Sequence, residues 1–344
     1  MIELKDDALV FSFPEVHPQA KLSIQFQRTL RIPDDDKTYP LPPGLGAFPL
    51  RHVDDFADNI PPTWMDHGGV MLPMYQAEAM WLLFGAGVVP QQGSYPFAIK
   101  VATGKIDAVT GKDWSDGLHR RPQDYMVAPA QPWLDGYCVE KGTIRQFVAM
   151  PLGAGYSAEE QITGAAEYGG IQVSAYPMKR EVFERRFPKR PEREMLAAPM
   201  MDFLCEAAPA PGGMEMGLAP GGRMKQEIYD DPFDADDWDL GNTSRCFVHI
   251  ANSMVWRAVT GQQPPTVPPT AKEYTDAGLP WFDYYSEGST AVDGSSILRK
   301  LKSVLTMGKA KGDVPLPENE SVEPTNVIAI RAGLKKDQVR EGRF

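Results

Sequence analysis

The sequence predicts an α+β fold: a strand-rich antiparallel sheet core, several peripheral helices and many Pro/Gly loops. Three observations carry that expectation. The chain has 32 prolines and 31 glycines in 344 residues, well above the roughly 12% that these two types usually contribute, which favours many short elements over a helical bundle. Apolar and polar residues alternate in several runs, among them Leu22, Ile24, Phe26 against Ser23, Gln25, Gln27, the pattern of a strand with one face buried. Helix-start signals, by contrast, are few and isolated.

The elements follow in order. Residues 2–13 and 21–32 read as two β-rich runs joined through Pro14 to Pro18. The prolines between 33 and 49 mark an extended surface segment. Pro73 opens a stretch to about Phe84 that is apolar nearly all round, which predicts a buried helix. Residues 95–110 predict a hairpin turning at Thr103-Gly104-Lys105, followed by short strands at 125–128, 136–139 and 143–152 between Asp-Gly and Lys-Gly turns. Ser157-Ala158-Glu159-Glu160 is a capping box and starts a short helix that Gly164 ends. A strand over 170–178 and a helix over 181–187 follow.

Residues 207–222 hold several glycines and prolines and predict a long exposed loop or a boundary, dividing the chain into 1–200 and 201–344 unless it is one continuous domain. A strand is expected at 224–229. Phe247, Ile250, Ala251, Met254, Val255 and Ala258 fall at helical spacing, so 242–259 predicts a helix stopped by Gly261. Thr270-Ala271-Lys272-Glu273 is a second capping box, 297–307 an amphipathic helix, and 327–330 a last strand.

Charge and composition exclude several functions. Thirty-five basic against 46 acidic residues give a net charge of −11, the opposite of the basic footprint that nucleic-acid binding requires. The longest apolar stretch, 79–89, is too short for a bilayer span of roughly 20 residues. The acidic N-terminal residues do not read as a secretory signal, and Cys138, Cys205 and Cys246 form no pairable framework, so a reducing cytoplasm is the expected compartment. No P-loop, dinucleotide fingerprint, GxSxG elbow or two-His zinc motif is present. No cofactor is expected.

Four constellations remain. Asp66 and His67 precede the stretch that carries Glu78, a carboxylate in apolar surroundings; the three form either an acid–base site or a turn next to a structural hydrogen-bond acceptor. Asp234, Asp236, Asp237 and Asp239 form an acidic run that lacks the glycine and glutamate of a calcium loop, leaving a loose metal candidate or a solvated loop. Opposite in sign stand Arg185, Arg186, Lys189 and Arg190, which pair with an acidic block or remain solvated. The aromatic block Trp281, Phe282, Tyr284 and Tyr285 suits an interface, a sugar-stacking platform or a plug of the core.

The block Ile144-Arg145-Gln146-Phe147-Val148-Ala149-Met150-Pro151-Leu152-Gly153, with Gln131-Pro132-Trp133-Leu134-Asp135-Gly136 and Pro269 to Tyr274, resembles a group of uncharacterised bacterial proteins. The resemblance brings no activity, cofactor or site residue with it. The leading expectation is a non-enzymatic, self-associating or partner-binding structural protein of the cytoplasm, with the aromatic and basic residues as its interface. The alternative is a hydrolase-like or carbohydrate-handling enzyme using an Asp/His/Glu site.

Overall fold

A computed structural model describes residues 1–189, 214–285, 290–314 and 319–331. The fold is α+β and rich in strands. The main strands are β1 (Ile2–Lys5), β2 (Ala8–Ser12), β3 (Lys21–Thr29), β4 (Val70–Met74), β5 (Ala79–Ala86), β6 (Phe97–Thr103), β7 (Met126–Ala128), β8 (Gly136–Glu140), β9 (Thr143–Pro151), β10 (Ile171–Pro177), β11 (Glu215–Lys225) and β12 (Ser244–Asn252). Antiparallel pairing runs β1-β2-β3-β5-β9-β11-β12-β10-β6-β7. β12 is central: β10 and β11 share one of its edges, and β4 lies parallel along the other.

The sheet curls over one continuous core to which β2, β3, β6, β9 and β12 all contribute. Phe13, just beyond β2, and Phe97 of β6 bring their rings within 5.8 Å although their strands stand far apart in the sheet. Helices α1 (Pro62–His67), α2 (Ala158–Thr163), α3 (Arg180–Arg186), α4 (Ser253–Thr260), α5 (Ala271–Asp276) and α6 (Val304–Lys311) are short. They lack the length to be stable alone and depend on packing. A two-stranded parallel sheet, β13 (Trp281–Tyr285) with β14 (Val327–Arg331), stands apart from the large one. Among the described residues no helix is long and apolar enough to cross a membrane.

Both capping boxes form. The Ser157 hydroxyl accepts from the Glu160 amide while the Glu160 carboxylate accepts from the Ser157 amide, and Thr270 and Glu273 do the same for α5. The hairpin, the meander and the 181–187 helix also sit where the sequence places them.

Four expectations need correction. Residues 73–84 are not a helix but the end of β4, a turn with Ala77 at φ 67°, and β5. In β5 Met80, Leu82 and Phe84 are buried while Trp81 and Leu83 are half-buried, the period-two signature that a nearly all-apolar sequence conceals. Residues 242–259 divide into β12 and α4, with the Asn252 side chain accepting from the Met254 amide at the junction. Every residue from Cys246 to Asn252 is buried, so no polar face remains to mark the strand.

The third correction is the 207–222 loop, of which 215–222 belong to β11, at the middle of the sheet. Its glycines permit close approach: a Cβ on Gly221 would stand 2.5 Å from the Val148 Cγ2, and one on Gly222 2.5 Å from the Pro33 carbonyl oxygen. The predicted division near residue 200 lies outside the described residues, and strands from both sides of it alternate within the one sheet. Finally, the 297–307 helix is a 3-10 turn at Leu298–Lys300, an extended Leu301, and then α6 capped by Ser303.

Candidate functional site

The most chemically elaborate part of the molecule lies where the loop after the 95–110 hairpin folds back across β6. Alternation along β6 sends Ala98, Lys100 and Ala102 to the face opposite Phe97, Ile99 and Val101, and the sequence alone marks that face as wet. The loop covers it instead, leaving Lys100 1% exposed. Its ammonium donates to the Ser115 carbonyl at 2.6 Å and the Gly117 carbonyl at 3.2 Å, lies 5.2 Å from the Trp114 ring centroid, and pairs with Asp124 Oδ2 at 2.8 Å. A buried ammonium requires such compensation, because its lost hydration is otherwise unpaid by any partner.

Asp124, also buried, serves a second group. Its Oδ1 accepts the His119 amide and its Oδ2 lies 2.8 Å from His119 Nδ1. A carboxylate only accepts, so Nδ1 is the donor in that bond, and the Nε2 side of the half-exposed ring faces outward from it. Lys100, Asp124 and His119 thus form a chain from the interior to the surface.

Asp107 lies beside them, on the short strand Ile106–Asp107 that closes the hairpin against β6. Its Oδ1 accepts from the amides of Val109 and Thr110 and from the Thr110 hydroxyl, at 3.2, 2.7 and 2.7 Å. Its Oδ2 is buried and has no hydrogen-bond partner among the described residues. Burial pushes the carboxyl up to about 7, the bonds to Thr110 opposing that shift, with the Asp124 charge adding to it and Lys100 subtracting. A cavity of about 130 Å³ is lined by Asp107, Thr110, Ser115, His119, Arg121 and Asp124, among others. Asp107 and His119 thus line one cavity, a carboxyl at its buried end and an imidazole at its exposed end.

The residues that the sequence singles out lie elsewhere. Asp66 and His67 are exposed on α1, where the His67 ring stacks on Phe247 at 4.8 Å. Glu78 is 3% exposed in the turn before β5, 2.8 Å from the Arg28 guanidinium, and accepts the Tyr75 amide. Burial raises its pKa, with Arg28 opposing. The structure therefore splits this trio: Glu78 is committed to an internal ion pair, while His67 belongs to a stack with Tyr168, Phe247 and His249.

The acidic run is occupied in holding its own loop. Asp234 and Asp237 form a reciprocal cap and both meet Arg186 at 2.7 Å, Arg185 lies 3.9 Å from Asp237, and Asp239 accepts the amides of Gly241 and Asn242. Asp236 is exposed. Among the described residues no group of three or more His, Cys, Asp or Glu is arranged to hold a metal. The opposite charge blocks thus meet within one chain, and Lys189 stays exposed beside them while Arg190 lies outside the described residues.

The aromatic block is also turned inward. Trp281 is 0% exposed between Tyr39 and Tyr274, donating Nε1–H to Thr275, so it cannot be a contact surface as expected. Phe282 is half-buried and exchanges backbone bonds with Leu41, and Tyr284 sets its ring 4.6 Å from Trp133. The Tyr285 side chain lies outside the described residues. Burial of so much ring area outweighs whatever an exposed platform would offer an isolated chain.

The site at Asp107 and His119 escapes a sequence search because its members carry no motif spacing. The one available signal is the density of turn-forming and ionisable residues between Thr110 and Asp124, too long a polar excursion for a plain hairpin exit. No protein-family model, curated protein or solved structure matches the chain.

Proposed function

We propose that the cleft bearing Asp107 and His119 is an acid–base site that hydrolyses a small polar substrate. One observation carries the reading: a buried carboxyl with a partnerless oxygen shares a small cavity with a histidine whose other ring nitrogen is held by a buried carboxylate. In the reaction, His119 Nε2 takes a proton from a water whose oxygen bonds to the substrate's electrophilic centre. The bond to the leaving oxygen breaks, and that oxygen receives the Asp107 proton. Asp124 holds the ring and compensates its positive charge, the orienting role of a carboxylate behind a catalytic histidine. Proton exchange with solvent then restores both groups.

The test is a chromogenic panel of p-nitrophenyl acetate, p-nitrophenyl phosphate and p-nitrophenyl glucoside. Turnover of at least one is expected, reduced by about 10²–10⁴ in both Asp107→Asn and His119→Gln, the usual range for a general acid or base. No turnover of any member, or turnover unchanged in both variants, refutes the reading.

Self-association retains one support of its own. β14 pairs only with β13 among the described residues and presents Val327 and Ile330 at 44% and 40% exposure, an open apolar edge of the kind through which chains add to one another. Light scattering on the intact protein and on Ile330→Lys tests it. A dimer that the charge dissociates supports association, and a monomer in both cases refutes it.

A further inference from the structure

We infer that the ligand of this cleft is a neutral, polyhydroxylated molecule longer than one ring, an oligosaccharide or its glycoside, with one unit in the cavity at Asp107 and the next in the cavity beside it. The inference rests on reading the cleft as the substrate site and names what occupies it. The geometry comes first. The cavity at Asp107 and a larger one of about 450 Å³ share a wall formed by Thr110, Lys112, Arg121 and Pro122. A ligand reaching Asp107 therefore has an adjoining chamber, bounded by Val109, Val292 and Ile297, for whatever extends beyond the reacting unit.

Charge gives the ligand's class. Within the site Asp124 is matched by Lys100 at 2.8 Å, and Arg120 spends its guanidinium on the carbonyls of Asp231 and Phe233. Around the two chambers stand Lys112, Arg120 and Arg121 on one side of the balance and Asp113, Asp230 and Asp293 on the other, none of them in an ion pair among the described residues. The signs nearly cancel, so no net field selects an anion or a cation. What such a lining does match is the hydroxyl, which donates to a carboxylate and accepts from an ammonium or guanidinium at once. The Asp107 Oδ2, buried and without a hydrogen-bond partner among the described residues, is a polar group at the inner end that a ligand hydroxyl can satisfy. The half-buried Val292 and the exposed Ile297 give an apolar patch against which the C–H face of a pyranose can lie.

The test is calorimetric titration of the full chain with glucose, N-acetylglucosamine, their β-1,4-linked trisaccharides, maltotriose, glucosamine and glucose 6-phosphate. At least one neutral trisaccharide is expected to bind about tenfold or more tightly than its own monosaccharide and than either charged sugar, the increment of one or two well-placed hydrogen bonds with accompanying apolar burial. Val292→Trp, which fills the larger chamber, removes that advantage and leaves monosaccharide affinity within about twofold. Ile297→Trp, at a position 37% exposed and tolerant of size, is the second variant should the first fail to fold. Equal binding of mono- and trisaccharide, preference for a charged sugar, or no binding at all overturns the inference. Trisaccharide binding without turnover of any member of the chromogenic panel refutes the acid–base reading alone. Hydrolysis without saccharide binding refutes only the ligand class.

Discussion

Replacing Asp107 by asparagine separates a proton-donating role from a structural one, because the two predict opposite signs for stability. The side chain is 1% exposed, and its carboxyl titrates at about 7 against an ordinary 3.8 because burial disfavours the anion. Below pH 3.8 both folded and unfolded chains hold this proton and the group is neutral in its effect. As pH rises from there toward 7, the unfolded chain ionises first, so native stability is lost progressively and the loss levels off above about 7. A shift of about three units corresponds to roughly 4 kcal/mol. Asparagine keeps an acceptor for the Val109 and Thr110 donors, and its amide nitrogen replaces an oxygen that had no partner. Allowing about 1–2 kcal/mol for that unsatisfied amide, Asp107→Asn gains about 2–3 kcal/mol at about pH 8. Urea unfolding of both proteins at about pH 5 and pH 8 reads this directly: the stability difference widens in favour of the variant by about 2–3 kcal/mol over that interval. Parallel pH profiles, or a variant less stable at the higher pH, refute a buried carboxyl with a raised pKa.

Four further outcomes follow from particular contacts. Burial holds the His249 ring down to about 4, so the stability it contributes is present above pH 6.5 and lost as pH falls toward 4. His249→Asn flattens that part of the acid-unfolding profile, a difference of about 3 kcal/mol by urea titration. Trp281→Ala empties a fully covered site and costs about 3–5 kcal/mol in urea unfolding; a cost near zero contradicts an interior ring. A Cβ on Gly136 would fall 2.0 Å from the Arg145 carbonyl oxygen, so Gly136→Ala displaces β8 from β9. It is expected to lower stability by more than about 3 kcal/mol, seen as a fall in the thermal midpoint. Arg186→Ala removes pairs with Asp234 and Asp237 at a guanidinium one-third exposed, costs less than about 1 kcal/mol, and leaves the molar mass in light scattering unchanged.

What the sequence by itself determined about this protein is what short-range chemistry dictates. Ser157 with Glu160 and Thr270 with Glu273 start helices because the cap satisfies amides within four residues, whatever the rest of the chain does. The alternation over 21–29 marks a strand because one of its faces meets solvent or half-exposed neighbours, and the α+β class follows from such segments. Tertiary structure alone decided what happens where both faces are covered. β12 buries residues 246–252 without interruption and β11 threads glycines between neighbouring backbones, so neither keeps the polar period by which a strand is recognised. The candidate site belongs to the same class. Lys100 reads as the wet side of a hairpin until the loop through Asp124 folds over it, and Asp107 and His119 acquire their chemistry only from the burial and the partners which that fold supplies.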